Sequence, residues 1–336
     1  MASKLPAIAE VGTEAPESAV SPVISVQSID HRYDGRTALD NVSFDVRPAE
    51  LFGLLGPNGS GKTTLFRILS TLMVPSSGRA VIMGFDAERE PAAVRRQIGV
   101  VFQAQSVDEK LTAYENLWHQ GHLYGLHGAA LKARATEILG RVGLGDRAKE
   151  LVETFPGGMA RRVELAKGLL HHPSILLLDE PTTGLDPGAR RDLWQYLQIL
   201  RDQERVSVIV TTHLMEEAER CDRLAILNDG KLVAMGTPSE LKHEIGGDVI
   251  LLEPVGDANA LAARISARFH LEAATLGNKV RIELEQGHRF VTGLVEAFPG
   301  EIQSVSVSKP TLEDVFIHRT GHRFWTEAED APGGSE

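Results

Sequence analysis

Residues 56 to 63 read GPNGSGKT and match G-x-x-x-x-G-K-[ST], a spacing suited to holding a phosphate chain. Gly56, Gly59 and Gly61 permit a loop whose backbone N–H groups turn inward toward phosphate oxygens, with Pro57, Asn58 and Ser60 between them. Lys62 adds a point charge for the β- and γ-phosphates and Thr63 offers a hydroxyl to Mg2+. Thr64 follows at the head of a helix whose positive end faces the same anion. A metal-bound triphosphate also requires a carboxylate at the end of a neighbouring strand. The run ILLLDE supplies Asp179, suited to Mg2+ through water, and Glu180, suited to polarising an attacking water. Three more residues fit around the nucleotide, each with a plainer alternative. Gln103 carries an amide for Mg2+ or water, or is a surface loop residue. His213, closing VSVIVTTH, offers a hydrogen bond to the γ-phosphate, or is structural. Tyr33 offers a ring for adenine, or packs.

These residues need elements to carry them. VISVQSIDHRY and ALDNVSFDVRP alternate as antiparallel strands around a turn at Asp34 and Gly35. AELFGLL runs apolar into the glycine loop and then into the amphipathic LFRILSTLMVP, the strand–loop–helix order that phosphate binding needs. Residues 106–153 read as helical, with Thr112 and Glu115 at capping-box spacing and ALKARATEILGRVGL as a second helix. ILLLDE and VSVIVTTH are continuous apolar runs of the kind buried on both faces, and their alternation with helices predicts a parallel sheet. After GTPSELKHEIGG the order becomes strand, helix, strand, strand, helix, strand, which is ferredoxin-like. PTLEDVF closes it with a helix capped by Thr311 and Asp314.

Composition limits the function classes. A chain of 336 residues predicts a large domain plus a smaller one, and 42 % hydrophobic with 24 % charged residues is ordinary for globular proteins. The net charge of −11 argues against a broad nucleic-acid face, so no nucleic-acid partner is expected and any anion site is local. A single cysteine, Cys221, excludes an internal disulfide and reads as a small apolar residue. The start, MASKLPAIAEVGTEAPESAVSP, reads as neither a secretory signal nor a myristoylation site, and no run of about 18 apolar residues predicts a membrane span.

Tyr33, GPNGSGKTT, Gln103, TFPGGMARR, LLLDEPTTGLD and VTTH follow one order, and over residues 22–242 the chain resembles ATP-binding-cassette ATPases. LTAYENL, GGMARRVELAKGLLHHP, DEPTTGLDP and TTHLMEEAERCDRLAILNDGKLVAMGTPSELK are similar to the ATP-binding subunits of type-2 exporters of the daunorubicin-resistance-like group, many of which end in a small domain with a segment like PTLEDVF. The resemblance implies an α/β phosphate-loop fold: a mostly parallel core sheet, an antiparallel β subdomain, a helical subdomain and an α+β ferredoxin-like C-terminal domain. It divides the chain into a flexible segment 1–21, a nucleotide-binding domain 22–242, an accessory domain 246–320 and a flexible acidic tail 321–336.

The resemblance further implies an ATP-hydrolysing subunit in which two cassettes close head to tail around two Mg-ATP. Tyr33 then faces adenine, residues 59–64 the phosphates, and Thr63, Gln103 and Asp179 the Mg2+. Glu180 becomes the catalytic base and His213 the γ-phosphate sensor, while Pro156, Gly157, Gly158 and Asp186 address the site across the dimer. The partners implied are an ABC-2 type transmembrane permease, docked on the helical insert at the cytoplasmic face of the membrane, and a second copy of the subunit. Most cassettes place serine where this chain has Pro156. Proline there is either a tolerated helix starter in the first turn or a weakened contact to the phosphate of the opposite subunit. The rival class is a cassette ATPase of DNA maintenance or ribosomes. Long coiled coils would mark the first and two cassettes in one chain the second; this sequence has neither. The C-terminal module reads as dimer-stabilising or as a small-molecule regulatory domain.

Overall fold

The computed structural model describes residues 21–324; the lead-in read as flexible and most of the acidic tail lie outside the described residues. β1 (Ile24–Tyr33) and β2 (Arg36–Val46) form a hairpin whose two connecting residues, Asp34 at φ 40° and Gly35 at φ 87°, are both left-handed. Such a turn matches strand twist, and it sets Tyr33 opposite Arg36 at the hairpin tip. β3 (Leu51–Leu55) runs into the phosphate loop and α1 (Lys62–Leu69). β4 (Ser77–Ile82) and β5 (Phe85–Asp86) complete an antiparallel sheet of order β2-β1-β4-β5.

α2 (Pro91–Gln97) precedes β6 (Ile98–Val101). The helical insert holds α3 (Ala113–Leu123), opened by the Thr112–Glu115 capping box, α4 (Gly128–Arg141) and α5 (Gly157–Leu169). Val163, Ala166 and Leu170 are fully buried in the core shared by these helices, with Met159 partly buried against it. β7 (Ile175–Asp179), α6 (Pro187–Asp202), β8 (Ser207–Thr212), α7 (Met215–Ala218), β9 (Arg223–Asn228), β10 (Lys231–Gly236) and α8 (Pro238–His243) follow. The main sheet has order β10-β9-β3-β8-β7-β6, parallel except for β10. Every residue of β3, β7 and β8 is buried, which is why their central residues are apolar, with polar side chains only near the strand ends. β8 lies between β3 and β7, so Gly56, Glu180 and His213 emerge side by side at the carboxyl ends of adjacent strands.

The C-terminal module runs β11 (Asp248–Pro254), α9 (Ala258–Phe269), β12 (Ala273–Leu276), β13 (Lys279–Leu284), α10 (Gly287–Ala297), β14 (Ile302–Ser308) and α11 (Leu312–Thr320). Its antiparallel sheet has order β12-β13-β11-β14, the ferredoxin-like arrangement. Ile250, Leu252, Val280 and Ile282 meet α9 and α10 on one face. The Thr311–Asp314 capping box starts α11, whose Leu312, Val315 and Phe316 join Leu55, Leu224 and Ile226 in one cluster. The last helix packs on α8 and β10 and thereby shares a core with the strand that feeds the phosphate loop. Phe324, within the stretch read as tail, is buried against Phe316. Cys221 is buried with its thiol pushed up by burial, consistent with a packing role.

Candidate functional site

The phosphate loop is built on two left-handed glycines. Gly59 has φ 78° and Gly61 φ 103°, and a Cβ on Gly61 would sit 2.7 Å from the Ala38 carbonyl oxygen. A cleft of about 380 Å3 opens above the loop, lined by Asn58, Gly59, Ser60, Gly61, Lys62, Thr63 and Thr64 together with Tyr33, Gln103 and Glu180. Four strand ends therefore converge on one concave surface. Lys62 is only 4 % exposed and donates from Nζ to the carbonyls of Gly56 at 2.7 Å and Pro57 at 2.9 Å. Burial pushes its pKa down, opposed by the charges of Glu180 and Asp179. The Ser60 hydroxyl is buried with no hydrogen-bond partner among the described residues.

Asp179 lies beneath the cleft, 5 % exposed, accepting from Thr211 Oγ1 at 2.6 Å. Burial raises its pKa, so a cation placed beside it would favour the ionised form. Glu180 has a left-handed backbone at φ 41°, an arrangement that costs a non-glycine residue roughly 1–3 kcal/mol. Its N–H donates to Thr211 Oγ1 at 2.9 Å, which helps to hold that conformation. The carboxylate gathers the remaining candidates: His213 Nδ1 at 3.1 Å, Gln103 Nε2 at 3.4 Å and Lys62 Nζ at 3.9 Å. The hydrogen bond from His213 is the largest cause lowering its pKa, ahead of burial, which raises it, and of the His213 and Lys62 charges, which lower it. Glu180 is thus held ionised, facing a phosphate cradle, at a position suited to accepting a proton from water.

A buried glutamate that sequence reasoning passed over supports this arrangement. Glu217 accepts from Thr212 Oγ1 at 2.6 Å and from Thr182 Oγ1, tying the end of β8 to the loop after Glu180. Thr212 Oγ1 in turn accepts from the Leu214 N–H at 3.0 Å, closing a turn around His213. The doubled threonine in VTTH was the available signal, since two hydroxyls at the end of an apolar strand need partners. Arg36 and Ala38 also line the cleft and were missed, although the Asp34–Gly35 turn after Tyr33 pointed to Arg36. Tyr33 is 39 % exposed, with its ring edge on His31 and its hydroxyl 3.1 Å from Met73 Sδ.

Pro156, Gly157, Gly158 and Asp186 do not join this cleft. Gly158 lines a separate cavity of about 290 Å3 between α5 and α6, and a Cβ there would meet Ala189 Cβ at 2.7 Å. Pro156 occupies the N-cap of α5, one residue outside the first turn where its ring was expected. Gly157 takes the first helical position, and the Pro156 carbonyl accepts from Met159 and Ala160. Asp186 caps α6, its Oδ1 accepting from the N–H groups of Gly188 at 2.9 Å and Ala189 at 3.0 Å.

Comparison with known proteins decides the family. Residues 39–183 match the family model for ABC transporters, and residues 236–320 match the C-terminal domain of DrrA1-3-like ATP-binding proteins. The linearmycin resistance ATP-binding protein LnrL of Bacillus subtilis is 37 % identical over 89 % of this chain and 98 % of its own length. The daunorubicin resistance ATP-binding protein DrrA3 of Streptomyces coeruleorubidus is 40 % identical over 89 % of this chain and 96 % of its own. The chain belongs to the ATP-binding subunits of ABC transporters. A dimeric cassette solved in a post-hydrolysis state with ADP and Pi matches the fold with a TM-score of 0.58 at 28 % identity, covering 64 % of this chain and 98 % of that one. The cassette is a nucleotide-binding ATPase and serves an ABC exporter, in line with the expected fold and activity; the rival class finds no support.

The cassette's acid limb gives a test of His213. With Glu180 as the base, hydrolysis is expected to be lost as pH falls through that residue's lowered pKa, below the usual 4.5, and to be insensitive to its titration at neutral pH. His213→Ala removes the largest lowering cause and leaves burial in place. The acid limb of kcat against pH is expected to move upward, with neutral-pH turnover falling about ten- to a hundredfold. A limb that stays in place would detach His213 from Glu180.

Proposed function

We propose that two copies of this subunit close head to tail around two Mg-ATP and drive an ABC-2 type permease from the cytoplasmic face of the membrane. The observation that carries this reading is the incompleteness of the single chain. One cleft collects the phosphate loop, Gln103 and Glu180, whereas Gly157, Gly158 and Asp186 stand outside it, Gly158 lining another cavity, and are left for a neighbouring cassette. The dimeric state of the solved cassette supports it. Among the described residues no helix is long and apolar enough to cross a membrane, so the transport path is assigned to a separate subunit.

The donor set fits Mg2+. Thr63, Gln103 and Asp179 supply hard oxygen ligands, and no group of three or more His, Cys, Asp or Glu among the described residues forms an all-protein cage. Bound magnesium supplies charge neutralisation on the β- and γ-phosphoryl oxygens. The protein does the rest by positioning. The loop amides and Lys62 bind the phosphates, Lys62 exchanging its carbonyl partners for phosphate oxygens, and Tyr33 and Arg36 flank the base and ribose. Glu180 orients the attacking water and takes its proton, while His213 holds that carboxylate in place and reads the γ-phosphate. Gln103 reports the γ-phosphate to the helical insert, on which the permease docks.

Co-expression with an ABC-2 type membrane subunit tests the assembly. The subunit is expected in the membrane fraction only when that partner is present, with ATP turnover stimulated several-fold in proteoliposomes. Equal soluble recovery and unchanged turnover with and without the partner would overturn the permease assignment.

A further inference from the structure

Helix α5 carries a buried cation that the ATPase reading leaves without a role. Arg161 is 5 % exposed and makes four hydrogen bonds across three segments. Nε donates to the Pro181 carbonyl at 2.9 Å, and Nη2 to the Glu180 carbonyl at 3.4 Å. Nη1 donates to the Phe102 carbonyl at 2.7 Å and to Glu164 Oε2 at 2.7 Å. Glu164, 2 % exposed, accepts the Ser106 N–H on its other oxygen at 2.5 Å, and Lys167 Nζ donates to the Ser106 carbonyl at 2.6 Å. Gln103 therefore sits in a loop clamped at both ends by one face of α5. Glu180 is gripped on both sides of its left-handed backbone, by Thr211 at its N–H and by Arg161 at its carbonyl.

A buried ion pair adds little net stability over apolar residues of the same shape, so Arg161 and Glu164 need another reason to be here. The planar fork of a guanidinium can span several carbonyls at fixed angles, which a lysine cannot. We propose that Arg161 is a positioning residue. It fixes Glu180 and the Gln103 loop against the helix that presents Gly157 and Gly158, so that the hydrolytic carboxylate is held in place by the same helix that offers a surface to the second cassette. The proposal rests on the assignment of Glu180 above and adds a mechanical link between a chain's own ATP site and the one it completes in its partner.

The test uses the full chain with Mg-ATP. Arg161→Lys keeps a charge beside Glu164 but cannot bridge the three carbonyls. Its melting temperature is expected within a few degrees of the parent, its half-saturating ATP concentration within about threefold, and its turnover about tenfold or more lower. Should the lysine variant fold poorly, Arg161→Met combined with Glu164→Gln removes both charges and is expected to show the same split. Parental turnover in whichever variant folds would overturn the proposal, because charge balance alone would then explain Arg161. A Glu180→Gln control separates the two readings. Turnover lost in the control but kept in Arg161→Lys overturns the positioning role alone, and turnover kept in both overturns the assignment of Glu180 beneath it.

Discussion

Glu180→Gln is expected to lower ATP turnover by about two to three orders of magnitude while nucleotide binding stays close to the parent value. The substitution is nearly isosteric. It keeps the N–H bond to Thr211 and leaves Lys62 on the loop, so the cradle for the phosphates is undisturbed. What it removes is the anion that His213 holds ionised at 3.1 Å. In the assembly proposed above, hydrolysis is the step that releases a closed pair of cassettes. The variant should accordingly accumulate as an ATP-bound dimer, seen as a shift from monomer to dimer in size-exclusion chromatography with Mg-ATP that is absent with ADP. A variant that turns over at the parental rate would remove Glu180 from the role of base. A variant that loses turnover yet stays monomeric would keep Glu180 in that role and break the link between the ATP-bound state and closure.

The groups that make this prediction possible were legible because each sits at a change of local pattern. Gly56 to Thr63, Asp179–Glu180 and Thr212–His213 all follow continuous apolar runs, and a parallel sheet buried on both faces must end its strands on one rim. Capping boxes at Thr112 and Thr311 were equally readable, since both partners lie within one turn. Arg161 was not readable. Apart from Glu164 one turn along, its partners are Phe102, Glu180 and Pro181, brought to it only when α5 packs across the sheet edge, and nothing near Arg161 in the chain marks it as buried. The docking of α11 on α8 and β10 has the same character, because its apolar residues would suit any core. Pro156 shows a finer limit: helix propensity located the start of α5 but not which residue is the cap, a difference of one position that decides which amides remain free.

That position bears on the second large effect. Pro156→Ser is expected to tighten ATP-dependent dimerisation about ten- to a hundredfold, since a hydroxyl facing the phosphate of the opposite subunit adds a charge-assisted hydrogen bond of about 1.5–3 kcal/mol. The backbone accepts the change: φ −55° and ψ 151° lie in the range that N-cap serines adopt. Serine has a competing use here, because an N-cap hydroxyl also bonds the N–H of the second or third helical residue, Gly158 or Met159, and that adds about 1 kcal/mol to the isolated chain. The two uses separate by measurement. Placed in the Glu180→Gln background, the serine should lower the protein concentration at which half the chains are dimeric with Mg-ATP, while the nucleotide-free melting temperature rises by only a few degrees. If the melting temperature rises and the dimerisation midpoint does not move, the hydroxyl is spent on its own helix and proline is simply a tolerated cap. If the midpoint falls, the amides of Gly157 and Gly158 have been holding the opposite phosphate without help, and the native proline sets how readily the two cassettes part.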